Sequence, residues 1–169
     1  MKSAPTYKFG SLALKASGDT TKTVAAKTAV TVENPGIAAT WAVGVKMGAF
    51  TGYTVEDGNE VANDATLTGA TLDITSTGVT NTTTTEDSLL PVAKSFTLAG
   101  DGQGAANDVL VASKAGSAFQ GIGTTKETTS ATITVPAGNA AGNYKANLTW
   151  TLTADPTSAL EVTPEDAAQ

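Results

Sequence analysis

The side chains of this chain that could catalyse a reaction or bind a cation are mainly carboxylates, because it contains no histidine and no cysteine. Glu56, Asp57, Glu60 and Asp64 lie within one acidic stretch, residues 52–64. Such clusters can supply several oxygen ligands to Ca²⁺, and two carboxylates facing each other across a cleft can hydrolyse a glycosidic bond. The spacing is not that of an EF-hand, and none of the acids lies in a distinctive catalytic motif. Ordinary solvated turns are therefore the favoured interpretation.

The missing residue types exclude several kinds of site. Without histidine and cysteine, the usual zinc and copper sites, a Ser-His-Asp triad, a thiol nucleophile and a disulfide framework are not available. The glycine-rich stretch at residues 100–104 follows a predicted strand, but it lacks the helix and the Lys-Ser/Thr pair of a phosphate-binding loop. We predict that the protein is not an enzyme and that it uses no metal and no cofactor.

The charge and composition limit where the protein acts. A net charge of −6 and a pI near 4.5 argue against nucleic acid and against charge-driven binding to anionic lipids or wall polymers. No apolar run could span a membrane, and no signal peptide is visible. The chain is therefore either cytoplasmic or the mature form of an exported protein with an added start methionine. The low charge and the composition rich in Thr, Gly, Ala and Asn, with 31 threonines, favour the second interpretation.

The elements that must position these residues are strands, because apolar and polar residues alternate with period two and helical periodicity is absent. We predict an all-β fold, an antiparallel β-sandwich or barrel with Greek-key, Ig-like connections and about eight to ten short strands. The predicted strands include residues 7–9, 12–14, 30–32, 41–47, 72–74, 96–98, 109–111, 131–135 and 144–153.

Three stretches are predicted to be long loops because they are rich in acidic or small polar residues: 52–64, 76–88 and 113–130. Residues 1–155 form one predicted domain. Residues 156–169 are predicted to be an acidic, proline-containing tail, with a weak extended segment at 160–162.

The two tryptophans lie in strands with the same pattern. Trp41 is followed on the same face by Val43, and Trp150 by Leu152. Alternation places these side chains inward, so we favour core anchors over the alternative, a partly open aromatic platform for a sugar or a partner chain. The motif residues interpreted in this way are Trp41, Val43, Tyr144, Leu148, Trp150 and Leu152.

Residues 142–152, followed by Pro156, closely resemble the distal motif of the WxL domain, a cell-wall-associated domain of low-GC Gram-positive bacteria. One departure is that the first motif here reads Trp41-Ala42-Val43 rather than Trp-x-Leu. Other segments resemble the family in the same order along roughly residues 5–156, namely 7–10, 30–34, 41–45, 67–72 and 131–136.

The resemblance implies a secreted, non-catalytic protein that is retained non-covalently at the cell wall, with peptidoglycan as its ligand. It also implies a protein partner, a membrane-anchored, Ig-like WxL-interacting protein, with other WxL proteins or host surface proteins as further partners. Neither nucleic acid binding nor membrane insertion is expected. The alternative is a structural subunit of a surface complex that binds only a protein partner and has no glycan affinity of its own.

Overall fold

A computed structural model describes residues 1–155, which are built from β-strands and contain no α-helix. Strands make up 55% of the structure, and one short 3-10 turn, Asp87–Leu89, interrupts them. The strands are β1 Thr20–Ala25, β2 Val30–Asn34, β3 Thr40–Met47, β4 Thr51–Glu56, β5 Asn59–Thr66, β6 Thr71–Asn81, β7 Val92–Ala93, β8 Phe96–Ala99, β9 Asn107–Ala112, β10 Lys114–Ala115, β11 Ala118–Phe119, β12 Gly123–Val135, β13 Asn143–Lys145 and β14 Leu148–Asp155.

Two antiparallel sheets form the body of the molecule. The first sheet has the order β1-β12-β6-β8, and β2 pairs with β12 on the same side as β1 but nearer the start of that strand. The second sheet has the order β14-β3-β9-β7. A smaller three-stranded sheet, β13-β4-β5, and a β10–β11 hairpin complete the fold. The predicted all-β antiparallel sandwich is confirmed.

The hydrophobic core consists of two clusters that each contain residues of both main sheets. The larger cluster includes Val45, Ile74 and Ile133, and the smaller one includes Val30 and Trp41. Trp150 is half-buried and contacts both clusters. The core is therefore mainly aliphatic; Trp41 belongs to the smaller cluster, and Trp150 lies where the two clusters meet.

Two of the predicted loops are strands, and a third is partly a strand. Residues 52–64 fall within the β4–β5 hairpin, whose turn is Asp57-Gly58 with φ values of 51° and 82°. An Asp-Gly pair is a strong signal for a two-residue hairpin turn, and the acidic composition of this stretch obscured it. β6 continues to Asn81, and residues 113–130 contain the β10–β11 hairpin and the first half of β12.

Some predicted strands were also wrong. Residues 7–9 and 12–14 form no strand, although Tyr7, Phe9 and Leu12 pack against the larger cluster. Residues 144–153 contain parts of two strands, because β13 pairs with β4 and β14 pairs with β3. The described residues contain fourteen strands rather than about eight to ten, and three of them have only two residues. The predicted tail and its extended segment at 160–162 lie outside the described residues.

Candidate functional site

The first tryptophan motif lies on β3 and faces the core. Trp41 is 5% exposed and Val43 is fully buried. The indole ring lies against Gly121, where a Cβ atom would come within 2.5 Å of a ring carbon. This glycine has a φ of +71°, a conformation that other residues rarely adopt. The turn before β12 is thus shaped around Trp41.

The second motif lies on β14, where Leu148, Trp150 and Leu152 share the inner face and are half-buried. In the antiparallel register Trp150 is opposite Val45, and Leu152 is opposite Val43. The indole N–H groups of both tryptophans are buried and have no acceptor among the described residues. Neither indole nitrogen is therefore accessible to solvent or to a ligand at the surface.

Tyr144, the remaining motif residue, lies on β13 rather than in the main sandwich. Its ring is half-buried and packs against the larger cluster. Its hydroxyl donates a hydrogen bond to the carbonyl oxygen of Ala140 at 2.9 Å. The structure brings Trp41, Val43, Trp150 and Leu152 together on two paired strands and places Tyr144 at the adjoining small sheet.

β14 is an edge strand, and the side of it that faces away from β3 has no hydrogen-bonded strand among residues 1–155. Its outward side chains Thr149, Thr151 and Thr153 are exposed. Edge strands usually carry lysine, proline or a bulge that prevents pairing with another chain. Residues 148–154 contain no charge and no proline, and their pairing with β3 shows no register shift.

The outer face of the first sheet is covered with threonines that align across its strands; we call it the threonine face. One row contains Thr23, Thr132, Asp73 and Thr97 on β1, β12, β6 and β8. The hydroxyls of Thr23 and Thr132 are 2.7 Å apart, and Thr97 donates a hydrogen bond to Asp73. The neighbouring row is formed by Thr21, Thr134 and Thr71.

Glu127 on β12 is fully buried, and neither of its carboxyl oxygens makes a hydrogen bond within the described residues. Its cross-strand neighbours are Val30 and Val79. Burial raises the pKa of Glu127 to about 7. The nearby Ser76 hydroxyl lowers this pKa by a smaller amount, although it is not placed to form a hydrogen bond with the carboxyl group.

The sequence analysis missed Glu127 because it interpreted residues 113–130 as a loop. Continuing the alternation of Ala131 and Ile133 backwards would have placed Glu127 on the inner face of β12. Thr129 lies between Glu127 and Ala131 on the same face, and its hydroxyl forms a hydrogen bond of 2.8 Å with the Tyr7 hydroxyl.

The acidic residues of the β4–β5 hairpin are spread along exposed strands. Glu60 forms an ion pair with Lys145 at 2.5 Å. Within residues 1–155 no group of three or more acidic side chains is arranged to hold a metal ion.

A family model described as WxL domain, surface cell wall-binding, matches residues 1–156. The chain belongs to the WxL family. WxL domains are non-catalytic cell-wall-binding domains, which places this WxL domain at the cell surface. No helix within its described residues is long and apolar enough to cross a membrane. No curated protein and no solved structure matches the chain.

Proposed function

We propose that this WxL domain is a secreted protein of a Gram-positive bacterium that binds peptidoglycan non-covalently and without catalysis. The observation that supports the proposal is the threonine face, which presents rows of hydroxyls with little charge. Hydroxyls both donate and accept hydrogen bonds, so they suit the hydroxyl and amide groups of a glycan. The net charge of −6 opposes attraction to anionic wall polymers.

The register of the sheet makes this face a regular array. Neighbouring strands are about 4.8 Å apart, and side chains two residues apart on one strand are about 7 Å apart. The hydroxyl pair of Thr23 and Thr132 is held by its mutual hydrogen bond, so little side-chain freedom is lost when a glycan binds. Binding should depend on many neutral hydrogen bonds rather than on a few ion pairs.

Retention on purified peptidoglycan tests the proposal. The chain should be retained at both low and high salt, because screening weakens only charged contacts. Thr23→Val with Thr132→Val keeps the β-branched shape, removes two hydroxyls and should weaken retention. Thr149→Val with Thr151→Val is the matched control on the other sheet. Complete elution by moderate salt would contradict the low-charge mechanism.

A second function, assembly with a membrane-anchored, Ig-like partner, is supported by the unprotected edge of β14. An extended segment of the partner would pair with this edge by strand addition, gaining main-chain hydrogen bonds. Alternate apolar side chains of that segment would cover the exposed parts of Leu148, Trp150 and Leu152. Other WxL proteins and host surface proteins are further candidate partners for this edge.

The edge proposal is tested by placing a charge on it. Thr151→Lys should abolish co-elution with the purified partner ectodomain and leave the melting temperature nearly unchanged, because the Thr151 side chain is exposed. Thr77→Lys, at an exposed position on β6, is the control. Unchanged co-elution of Thr151→Lys would rule out this edge. Partner binding without retention on purified wall would favour the alternative, a structural subunit with no glycan affinity.

A further inference from the structure

A cleft of about 440 Å³ opens where the chain crosses from the second sheet to the first, between the β7–β8 connection and the start of β9. It lies on the side of the sandwich bounded by β8, the edge strand of the first sheet. Its lining residues are Lys94, Ser95, Phe96, Ala106, Asn107 and Asp108.

The polar side chains of this cleft are available for a ligand. Lys94, Ser95 and Asp108 are exposed, and their side chains form no hydrogen bond or ion pair with any other residue of the described chain. The amide nitrogen of Asn107 donates a long hydrogen bond, 3.3 Å, to the carbonyl of Ala105, so its own carbonyl oxygen remains available. One cation, one anion, one amide and one hydroxyl therefore surround a single concave space.

The backbone that carries these groups is held in place. The register between β3 and β9 shifts between Val43 and Gly44, which makes Val109 the extra residue of a bulge directly after Asp108. The N–H of Lys94 donates a hydrogen bond of 2.7 Å to the carbonyl of Val109. Bulges are frequent beside functional sites because they redirect neighbouring side chains. Here the bulge joins the two walls of the cleft.

Phe96 supplies the apolar part of the cleft. Its ring is half-buried and packs against the larger core cluster, so it is fixed in position. The next residue, Thr97, lies in a row of the threonine face. A polymer that lies on that face could therefore place one substituent in the cleft.

We propose that this cleft binds the peptide-bearing N-acetylated sugar unit of peptidoglycan, an inference that rests on the proposed function. The Lys94 ammonium pairs with a carboxylate of the peptide attached to the sugar. Asn107, Asp108 and Ser95 bond to amide and hydroxyl groups, and the Phe96 ring packs against the apolar face of the sugar. The threonine face binds the neutral part of the strand, and the cleft distinguishes peptidoglycan from glycans that lack the carboxylate.

Isothermal titration calorimetry of the full chain with a soluble disaccharide-peptide fragment of peptidoglycan tests whether the cleft is the binding site. Lys94→Gln with Asp108→Asn should weaken binding of the fragment at least tenfold. Phe96→Leu should also weaken binding, and it should lower the melting temperature less than Phe96→Ala would. Lys46→Gln with Asp64→Asn, at exposed positions outside the cleft, should bind as the wild type. A chito-oligosaccharide, which has the N-acetyl groups but no carboxylate, should bind more weakly and be insensitive to Lys94→Gln.

The outcomes separate the cleft from the proposed function. If the wild type is retained on intact peptidoglycan but the cleft variants bind the fragment equally well, the cleft assignment is wrong and peptidoglycan binding stands. The same conclusion follows if the fragment does not bind while the intact polymer does. If the wild type is not retained on the intact polymer, both proposals fail.

Discussion

At the scale of single residues, the motif tryptophan of β14 joins the two halves of the core. Trp150 contacts both hydrophobic clusters, and its indole N–H is buried without an acceptor. A residue whose polar atom is unused contributes through packing rather than through hydrogen bonding. We therefore propose that the WxL motif stabilises the fold, and that ligand and partner contacts lie around it.

Trp150→Ala should cost about 3–5 kcal/mol, the usual range for truncating a large core aromatic, and should unfold or strongly destabilise the domain. Trp150→Phe should cost less, because the lost N–H has no partner. Urea unfolding measures both, with Thr151→Ala on the solvent side as control. A stable Trp150→Ala variant that loses only wall or partner binding would show that the motif is a contact site.

Glu127 makes the stability of the domain depend on pH. Its pKa is raised from 4.5 to about 7, mainly by burial. Between pH 4.5 and 7 the folded protein holds a proton that the unfolded chain has released, so the free energy of unfolding falls as the pH rises through this range. We expect Glu127 to lower the free energy of unfolding by roughly 3 kcal/mol between pH 4.5 and 8. Urea unfolding at a series of pH values measures this.

Glu127→Gln should remove this contribution and make the protein more stable than the wild type at pH 8. Glu56→Gln, at an exposed position on the β4–β5 hairpin, serves as the control for loss of one negative charge. The interpretation would be wrong if Glu127→Gln and the wild type had the same dependence on pH.

At the scale of elements, the turn before β12 is fitted to the tryptophan of β3. Gly121→Ala and Gly138→Ala both place a side chain at a positive φ, but only the first puts its Cβ against an indole ring; nothing lies within 4 Å of the second. Gly138→Ala should lower the free energy of unfolding by about 1 kcal/mol. Gly121→Ala should lower it by about 1–3 kcal/mol more, because the added methyl group overpacks the space beside the indole ring. Equal melting temperatures for the two variants would exclude close packing at Gly121.

The elements that could be predicted from the sequence are those with one face in the core. β3 alternates strictly between buried and less buried residues, and the predicted strand over 41–47 matches it. β5 is exposed along its whole length, so no hydrophobic period marks it, and it was mistaken for a loop. The threonine face and the cleft depend on cross-strand register and on a bulge, which no local pattern reveals.

At the scale of the whole molecule, the sandwich is closed by its last described strand. β14 covers the edge of β3, although residues 48–147 separate the two strands in sequence. A chain ending at residue 147 should therefore lack the cooperative unfolding of the full chain. Circular dichroism and Trp41 fluorescence measure this. Cooperative unfolding of the shorter chain would show that β14 is dispensable.

The late pairing of β3 with β14 also bears on how the chain folds during synthesis. Strand pairs that are distant in sequence form slowly, because a long loop must close before they are stabilised. Synthesis runs from the N-terminus to the C-terminus, so the second sheet cannot be completed until β14 has been made. The β3 edge of the second sheet therefore stays unpaired during synthesis until residues 148–155 have been made.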